Sequence, residues 1–515
     1  MGPLDSKMHI FLFLPLFVHL SAGHRHSHSR FHIRRSNSDA GDCDSTLDVA
    51  RCHGDDSINF AAVPIHPFIL PRELTTLSES WQTSYEPKYC GKGFQSNCDA
   101  KAECGRYSSP PNKKCPLNVY CSEYGFCGTT EEFCKKGCQS NCEQPRPSAS
   151  RSNVQQKVIA YWEAWNGNKP CGHMSPQEIP VHDITHLIFS FGFVAPGDFR
   201  ITNMPDVKSS LLTQVTDLKD KNPNLSVMIA LGGWTHNDPG KYQTIFIDMV
   251  STRANRQLFI KNLLGFLCQY GFDSIDFNWE YHSVKDRGGK EADVKNFTQF
   301  LKELQAAMRS GGRHYLVIYT APTSYWYLRH FYLKAMRSYV DWINLMSHDL
   351  HRIWGRDNPI KIDMALDLFW RNDILPEDIV LGTGLYGRSF KLESPSCWKP
   401  RCHFSGPGDK GKCTDIARFL SYREIMDLIK DTNAKPVYDK VAKVNYMAYC
   451  DNNWISYDDA RTFKDKVDFA NKRGLNALMM WAIDLDDSRR DSLGERTVSI
   501  RKKVGSHQKI NTPIR

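Results

Sequence analysis

Along the C-terminal two thirds of the chain, short apolar runs alternate with longer amphipathic stretches. KVIAYW, THLIFSFGF, LSVMIALGG, FDSIDFNW, YLVIYTAP, WINLMSH, IVLGTGLYG and ALMMWAIDL make eight such runs. Near-continuous apolarity of this length reads as a strand buried on both faces, and helical patterns between the runs make the sheet parallel. Eight strands with intervening helices predict an α/β fold, a (β/α)8 TIM barrel. A doubly wound open sheet is the alternative, but KVIAYWEAWNG carries no GxGxxG after the first strand, as a dinucleotide-binding sheet would.

One run breaks the apolar rule. In FDSIDFNWEYH, Asp276, Asn278 and Glu280 fall at alternate positions, so a strand turns all of them to one face. In a barrel the C-terminal strand ends converge on the site, which puts the three inward with Glu280 outermost. Buried carboxylates are costly unless paired or functional, and the run contains no Lys or Arg to pair with them. Catalysis is therefore preferred to a structural ion-pair network.

Around residues 391–450, after strand 7, the alternation is interrupted by a stretch that includes SPSCWKPRCHFSGPGDKGKC. Cys397, Cys402, Cys413 and Cys450 are expected to pair within it or with its rim; Cys171 and Cys268 stay open. Upstream, CGRYSSPPNKKCPLNVYCSEYGFCGTTEEFCKKGCQSNC places seven cysteines in 39 residues. So small a unit has too little apolar surface for a core and needs disulfides. Zinc is disfavoured by the single Cys-x3-Cys spacing of Cys138 and Cys142 and by the absence of His, so no metal or cofactor is expected. Tyr124 and Phe126 offer two flat faces on one side of a short segment, suited to stacking on a pyranose; a tiny aromatic core is the other reading.

Composition frames these units. The chain has 515 residues, 41% apolar, with 17 cysteines and a formal charge of +9. Its Lys and Arg are scattered, which argues against nucleic acid as a partner. Lys7, the apolar stretch Ile10 to Leu20 and small residues at 21–23 read as a signal peptide over 1–23, too short for a comfortable span. A secreted monomer without membrane association is the expectation. Residues 24–88, opening on a His-rich polar tract, are unassigned and expected to be largely disordered. YCGKGFQSNC at 89–98 echoes FCKKGCQSNC at 133–142, so 89–100 reads as a truncated repeat of the 101–145 module; Cys90 is open to Cys98 or Cys134. EQPRPSASRS reads as a linker, assigned to 146–153, before the 154–505 barrel and a 506–515 tail.

CSEYGFCGTTEEFC followed by GCQSNC resembles the hevein-type chitin-binding module. The resemblance implies a saccharide surface of Ser122, Tyr124, Phe126 and Phe133, and pairings Cys104–Cys121, Cys115–Cys127 and Cys138–Cys142. Tyr120 stands where that family has a cysteine, which leaves Cys134 over. Further on, ALGGWT, DSIDFNWEY, APTSYWYL, LMSHDLH, GLYGRSF and MMWAIDLDD occur in an order that resembles glycoside hydrolase family 18, and within it the fungal enzymes similar to killer-toxin α/β subunits. The resemblance implies that 391–450 is a small α+β insertion after strand 7 that deepens the cleft.

That resemblance implies action on chitin or chitooligosaccharides by substrate assistance, in which the 2-acetamido oxygen attacks the anomeric carbon and the protein supplies one acid. Glu280 matches the acid and Asp276 the inner carboxylate. Asn278 stands where the family has a second carboxylate, and is expected to accept the acetamido N–H and offer a donor to Glu280. His348 replaces the tyrosine of Met-x-Tyr-Asp, beside Met346 and Asp349, and His282 replaces a frequent proline. Trp481 matches the floor of the sugar site, with Tyr281, Tyr386, Arg388 and Trp234 as further binding residues. Trp162, Trp165 and Trp326 are candidates to extend the stacking surface. Asn278 and His348 together predict reduced turnover.

Overall fold

The computed structural model describes residues 100–147, 152–310, 315–348, 362–450 and 452–487. The signal-peptide reading, the 24–88 segment, the 89–98 repeat with Cys90 and Cys98, Asp349 and the 506–515 tail lie outside the described residues.

Eight parallel strands form the barrel: β1 (Val158–Glu163), β2 (His186–Val194), β3 (Ser226–Gly232), β4 (Ser274–Asn278), β5 (Leu316–Pro322), β6 (Trp342–Met346), β7 (Ile379–Gly384) and β8 (Ala477–Trp481). Each pairs with its sequence neighbours, and β8 closes on β1 with Leu478 opposite Val158 and Met479 opposite Ile159. Burial on both faces explains the apolar runs, since side chains fill the barrel interior on one side and meet the helices on the other. The helix Asp293–Ser310 shows the complementary pattern. It buries Val294, Phe297, Leu301, Leu304 and Met308, a stripe at three- and four-residue spacing laid on the barrel wall.

The end of β3 meets the end of β4 through glycine. A Cβ on Gly232 would sit 2.3 Å from the carbonyl oxygen of Asn278, and Gly232 and Gly233 take φ of 109° and 80°. Only glycine fits that approach and that backbone. It lets the Gly233 N–H bond the Asn278 carbonyl at 2.9 Å, which fixes the height at which β4 delivers its acidic side chains.

After β7 the chain enters an antiparallel sheet of strands Tyr386–Leu392, Phe404–Pro407, Phe419–Ser421, Val437–Asp439, Val444–Tyr449 and Asn453–Tyr457, with the helix Tyr422–Thr432 beside it. This sheet reaches past the expected 391–450 at both ends. One residue, Leu385, separates β7 from its first strand, so the two elements merge into one apolar run in the sequence. Within the insertion Cys397 pairs with Cys402, while Cys413 pairs with Cys171 in the loop after β1. The expectation for Cys450 is corrected: it stands as a thiol, because the other three insertion cysteines are bonded among themselves and to Cys171. In the N-terminal module the bridges are Cys104–Cys121, Cys115–Cys127 and Cys138–Cys142. The Cys134 thiol donates to the Glu131 carbonyl. Among the described residues no helix is long and apolar enough to cross a membrane.

Candidate active site

The floor of the cleft is built around Asp276, which is fully buried in β4. Its Oδ2 accepts from the Tyr161 hydroxyl at 2.6 Å and from Asn278 Nδ2 at 2.7 Å, and Thr320 Oγ1 donates to its Oδ1 at 3.1 Å. Asn344 Nδ2 donates in turn to the Tyr161 oxygen at 2.8 Å, held by Trp342 Nε1 on its own Oδ1 at 2.9 Å. Burial raises the Asp276 carboxyl to about 6, and the hydrogen bonds from Tyr161, Asn278 and Thr320 hold it below where burial alone would push it. These partners are neutral, so they satisfy lone pairs without supplying charge. The amide of Asn278 thus turns one of its two donor hydrogens toward Asp276 on the floor.

Glu280 lies just past the end of β4 and is partly exposed. Its backbone is clamped on both sides: the N–H donates to Asn237 Oδ1 at 3.2 Å, and the carbonyl accepts from Arg287 Nε at 2.9 Å. Arg287 also donates to Asp238 Oδ1 at 2.7 Å and to the Trp234 carbonyl at 2.6 Å, with its guanidinium 3.7 Å from the centre of the Trp234 ring. Burial raises the Glu280 carboxyl to about 7, against the pull of the Arg287 cation and a hydrogen bond from Tyr281. A carboxyl poised there can give up and recover a proton near neutral pH. It stands over a floor that has no cation.

The aromatic wall comes from several strand ends. Trp481, at the end of β8, stacks on Phe191 at 5.5 Å and lies 5.3 Å from Tyr161 and 6.2 Å from Trp165. Lys169 bridges Glu163 at 2.6 Å and Asp484 at 2.9 Å, tying the β1 loop that carries Trp165 to the segment after Trp481. His348 and Tyr386 are brought together, Tyr386 Oη lying 2.8 Å from His348 Nδ1. Arg388 sits 5.0 Å from the Tyr386 ring, while Met346 is partly exposed at the end of β6. Asp349 lies outside the described residues.

One aromatic expectation is corrected: Trp162 is fully buried against Phe189 with its indole N–H on the Met174 carbonyl, so it offers no face to a sugar. Trp234 is buried with one ring face taken by Arg287. Tyr281 is also buried, stacked 4.5 Å from Tyr327. Trp326 is 48% exposed, with Arg329 over it at 3.9 Å. In the module, the Ser122 hydroxyl accepts the Phe126 N–H at 3.0 Å and shapes the loop. Tyr124, Phe126 and Phe133 are half-buried.

Sequence reasoning missed Tyr161, Thr320, Asn344 and Arg287. The first three had a signal, since each is a polar residue inside an apolar strand run. Arg287 had none, because it lies on a turn beyond the strand pattern.

The comparisons with known proteins agree with this geometry. Residues 157–486 match the family model for glycosyl hydrolases family 18, and residues 103–142 match that for chitin recognition protein. The killer toxin subunits alpha/beta of Kluyveromyces lactis are 32% identical over 408 residues, covering 74% of this chain and 34% of the toxin; this chain therefore spans about a third of that relative. Chitotriosidase-1 of Mus musculus is 30% identical over 64% of this chain and 73% of its own. Among solved structures, the Group IV chitinase of Ostrinia furnacalis superposes with a TM-score of 0.61 at 26% identity, covering 67% of this chain and 99% of its own. The barrel, the acidic strand end and a model match over most of the chain converge on one assignment: this chain belongs to the glycosyl hydrolases family 18.

Proposed function

We propose that this protein is a secreted chitinase that cleaves β-1,4 linkages between N-acetylglucosamine residues with retention, at a rate reduced by its own sequence. The observation that carries the reading is the Glu280 carboxyl at the mouth end of β4, raised by burial to about 7. In the first step the substrate's acetamido oxygen bonds to the anomeric carbon while the glycosidic C–O bond breaks. Glu280 gives its proton to the leaving oxygen, and an oxazolinium ion forms. In the second step Glu280 takes a proton from water, which opens the oxazolinium ring. Trp481 floors the sugar beside the scissile bond. Asn278 accepts the acetamido N–H but supplies no negative charge to the oxazolinium ion. Loss of one preorganised stabiliser of this kind costs about 3 kcal/mol, or roughly 10²–10³ in rate.

A second reading is a chitin-binding protein in which the barrel has lost turnover. Asn278, bonded to Asp276 at 2.7 Å, and His348 in the tyrosine position favour it. Turnover of chitooligosaccharide by the natural chain beside Asn278→Asp separates the two. A low natural rate that rises about 10²–10³-fold in the variant supports the chitinase. A natural rate of zero supports the binding protein, and no gain on substitution refutes the role given to Asn278.

A further inference from the structure

The N-terminal module is held against the barrel by a clamp that works in both directions. Arg371, just past the helix Ile362–Trp370, is 7% exposed. Its Nη1 donates to the carbonyls of Asn118 at 3.0 Å and Asn141 at 3.2 Å, and its guanidinium lies 4.1 Å from the centre of the Tyr120 ring. In return Asn118 Nδ2 donates to the Arg371 carbonyl at 2.9 Å, and Asn372 Nδ2 donates to the Leu117 carbonyl at 3.1 Å.

Leu117 and Asn118 have φ of 54° and 52°. Left-handed backbone costs a branched residue such as leucine roughly 1–2 kcal/mol, and it persists where surrounding structure demands it. Here it aims two successive carbonyls at Arg371 and Asn372. The module's local strain thus has its counterpart on the barrel.

The orientation follows from the hairpin. Tyr120 pairs with Gly128 and Cys121 with Cys127, so residues 122–126 form the tip and Tyr120, under Arg371, the root. None of the clamp contacts uses Ser122, Tyr124, Phe126 or Phe133. Arg371 precedes β7 and so belongs to the base of the barrel; Tyr325 and Trp326 follow β5 and belong to its mouth. Behind the tip, Glu103 donates its N–H to the Gly125 carbonyl at 2.7 Å and accepts the Cys127 N–H at 3.0 Å. Its charge in turn raises the Tyr325 hydroxyl, after burial. The root of the module therefore rests at the base of the barrel, and the hairpin leads from there to its tip.

We propose that the module is docked rather than loosely tethered, with its aromatic tip continuing the cleft past Trp326, so that one polysaccharide chain engages both surfaces. The inference rests on the saccharide reading of the cleft and the module, and not on turnover. Fixing two sites on one ligand raises the effective concentration of the second.

The test uses the full chain and insoluble chitin as probe, with Arg371→Ala, Asn118→Ala and Tyr124→Ala. Docking predicts a compact scattering profile for the natural chain and an expanded one for Arg371→Ala, with retention on chitin falling about tenfold or more although both saccharide surfaces are intact. Asn118→Ala, which removes the hydrogen bonds from Nδ2 to the Arg371 carbonyl and to Asn372 Oδ1 and keeps the Arg371 side chain, gives a smaller change of the same sign. Tyr124→Ala weakens retention without expanding the molecule. An unchanged profile and unchanged retention for Arg371→Ala overturn the proposal. So does expansion without loss of retention, since the dock then serves no shared chain. A natural chain that binds chitin in this pattern but never cleaves it refutes the chitinase reading alone.

Discussion

The floor and the rim of the cleft solve the same problem in different ways. Asp276 on the floor is surrounded by Tyr161, Thr320 and Asn278, neutral groups that fix its position. Glu280 at the rim sits among charges, with Arg287 on its carbonyl and Asp238 on the far side of that guanidinium. Burial raises both carboxyls, to about 6 on the floor and about 7 at the rim. On the floor the carboxyl is fully enclosed, and neutral hydrogen bonds hold it below where burial alone would push it. The rim is partly open, and its balance of burial against one cation leaves a proton that can leave and return near neutrality.

The largest effect is expected from Glu280→Gln. If the rim alone handles the proton, this change lowers turnover of chitooligosaccharide by about 10²–10⁴-fold and leaves binding within a few-fold, since the aromatic wall is untouched. Calorimetry and product assays on the same protein check both halves. Residual turnover close to the natural rate would mean that Asp276 or a solvent proton replaces Glu280, and the distinction between floor and rim would fall.

Arg287 tests how the rim is held. Arg287→Met removes hydrogen bonds to the carbonyls of Glu280 and Trp234 and an ion pair to Asp238. Hydrogen bonds from a charged group are worth about 1.5–3 kcal/mol, so kcat falls about tenfold to a hundredfold, with KM less affected. The cation lowers the Glu280 carboxyl, so its loss raises that group further and keeps the acid protonated to higher pH. The alkaline limb of the rate profile therefore moves up. Arg287→Lys keeps a charge but not the planar fork, so the limb stays near its natural position while the rate remains low. A purely structural role would lower rate without moving the limb.

How much of this was legible in the sequence differs between the same two regions. The eight strands and the inward row ending in Glu280 follow from apolar runs and period-two alternation, which are local signals. Tyr161 and Asn344 were readable by the same rule, as polar residues inside apolar strands, yet their meeting with Asp276 depends on barrel closure, which brings β1, β4 and β6 around one axis. Arg287 was hidden because it lies on a turn beyond the strand pattern, and two of its contacts are to backbone carbonyls, which no side-chain pattern records. Trp234 reads as a sugar platform at a strand end, and only the position of Arg287 shows that one of its two faces is covered. The Cys171–Cys413 bridge, 242 residues apart, was out of reach of any spacing argument.

The back of the rim offers the smallest effect. His282 is fully buried, packed 4.2 Å from Phe331 and 5.5 Å from Trp279, and neither ring nitrogen has a hydrogen-bond partner. Burial lowers its pKa to about 3, with nearby His330 adding to the shift. An ordinary histidine titrates near pH 6.5. Below that value the unfolded chain takes up a proton that the folded chain refuses, so His282 costs stability progressively as pH falls toward 3. His282→Leu removes two unsatisfied polar atoms at nearly constant volume and is expected to stabilise by about 1–2 kcal/mol at pH 7. The advantage then grows by up to about 1.4 kcal/mol per pH unit between pH 6 and 4. Denaturant unfolding of both proteins across that range measures it, at constant slope with denaturant. A constant difference with pH would mean the imidazole finds a partner or a proton in the folded state, and that charge reaches behind the rim as well as in front of it.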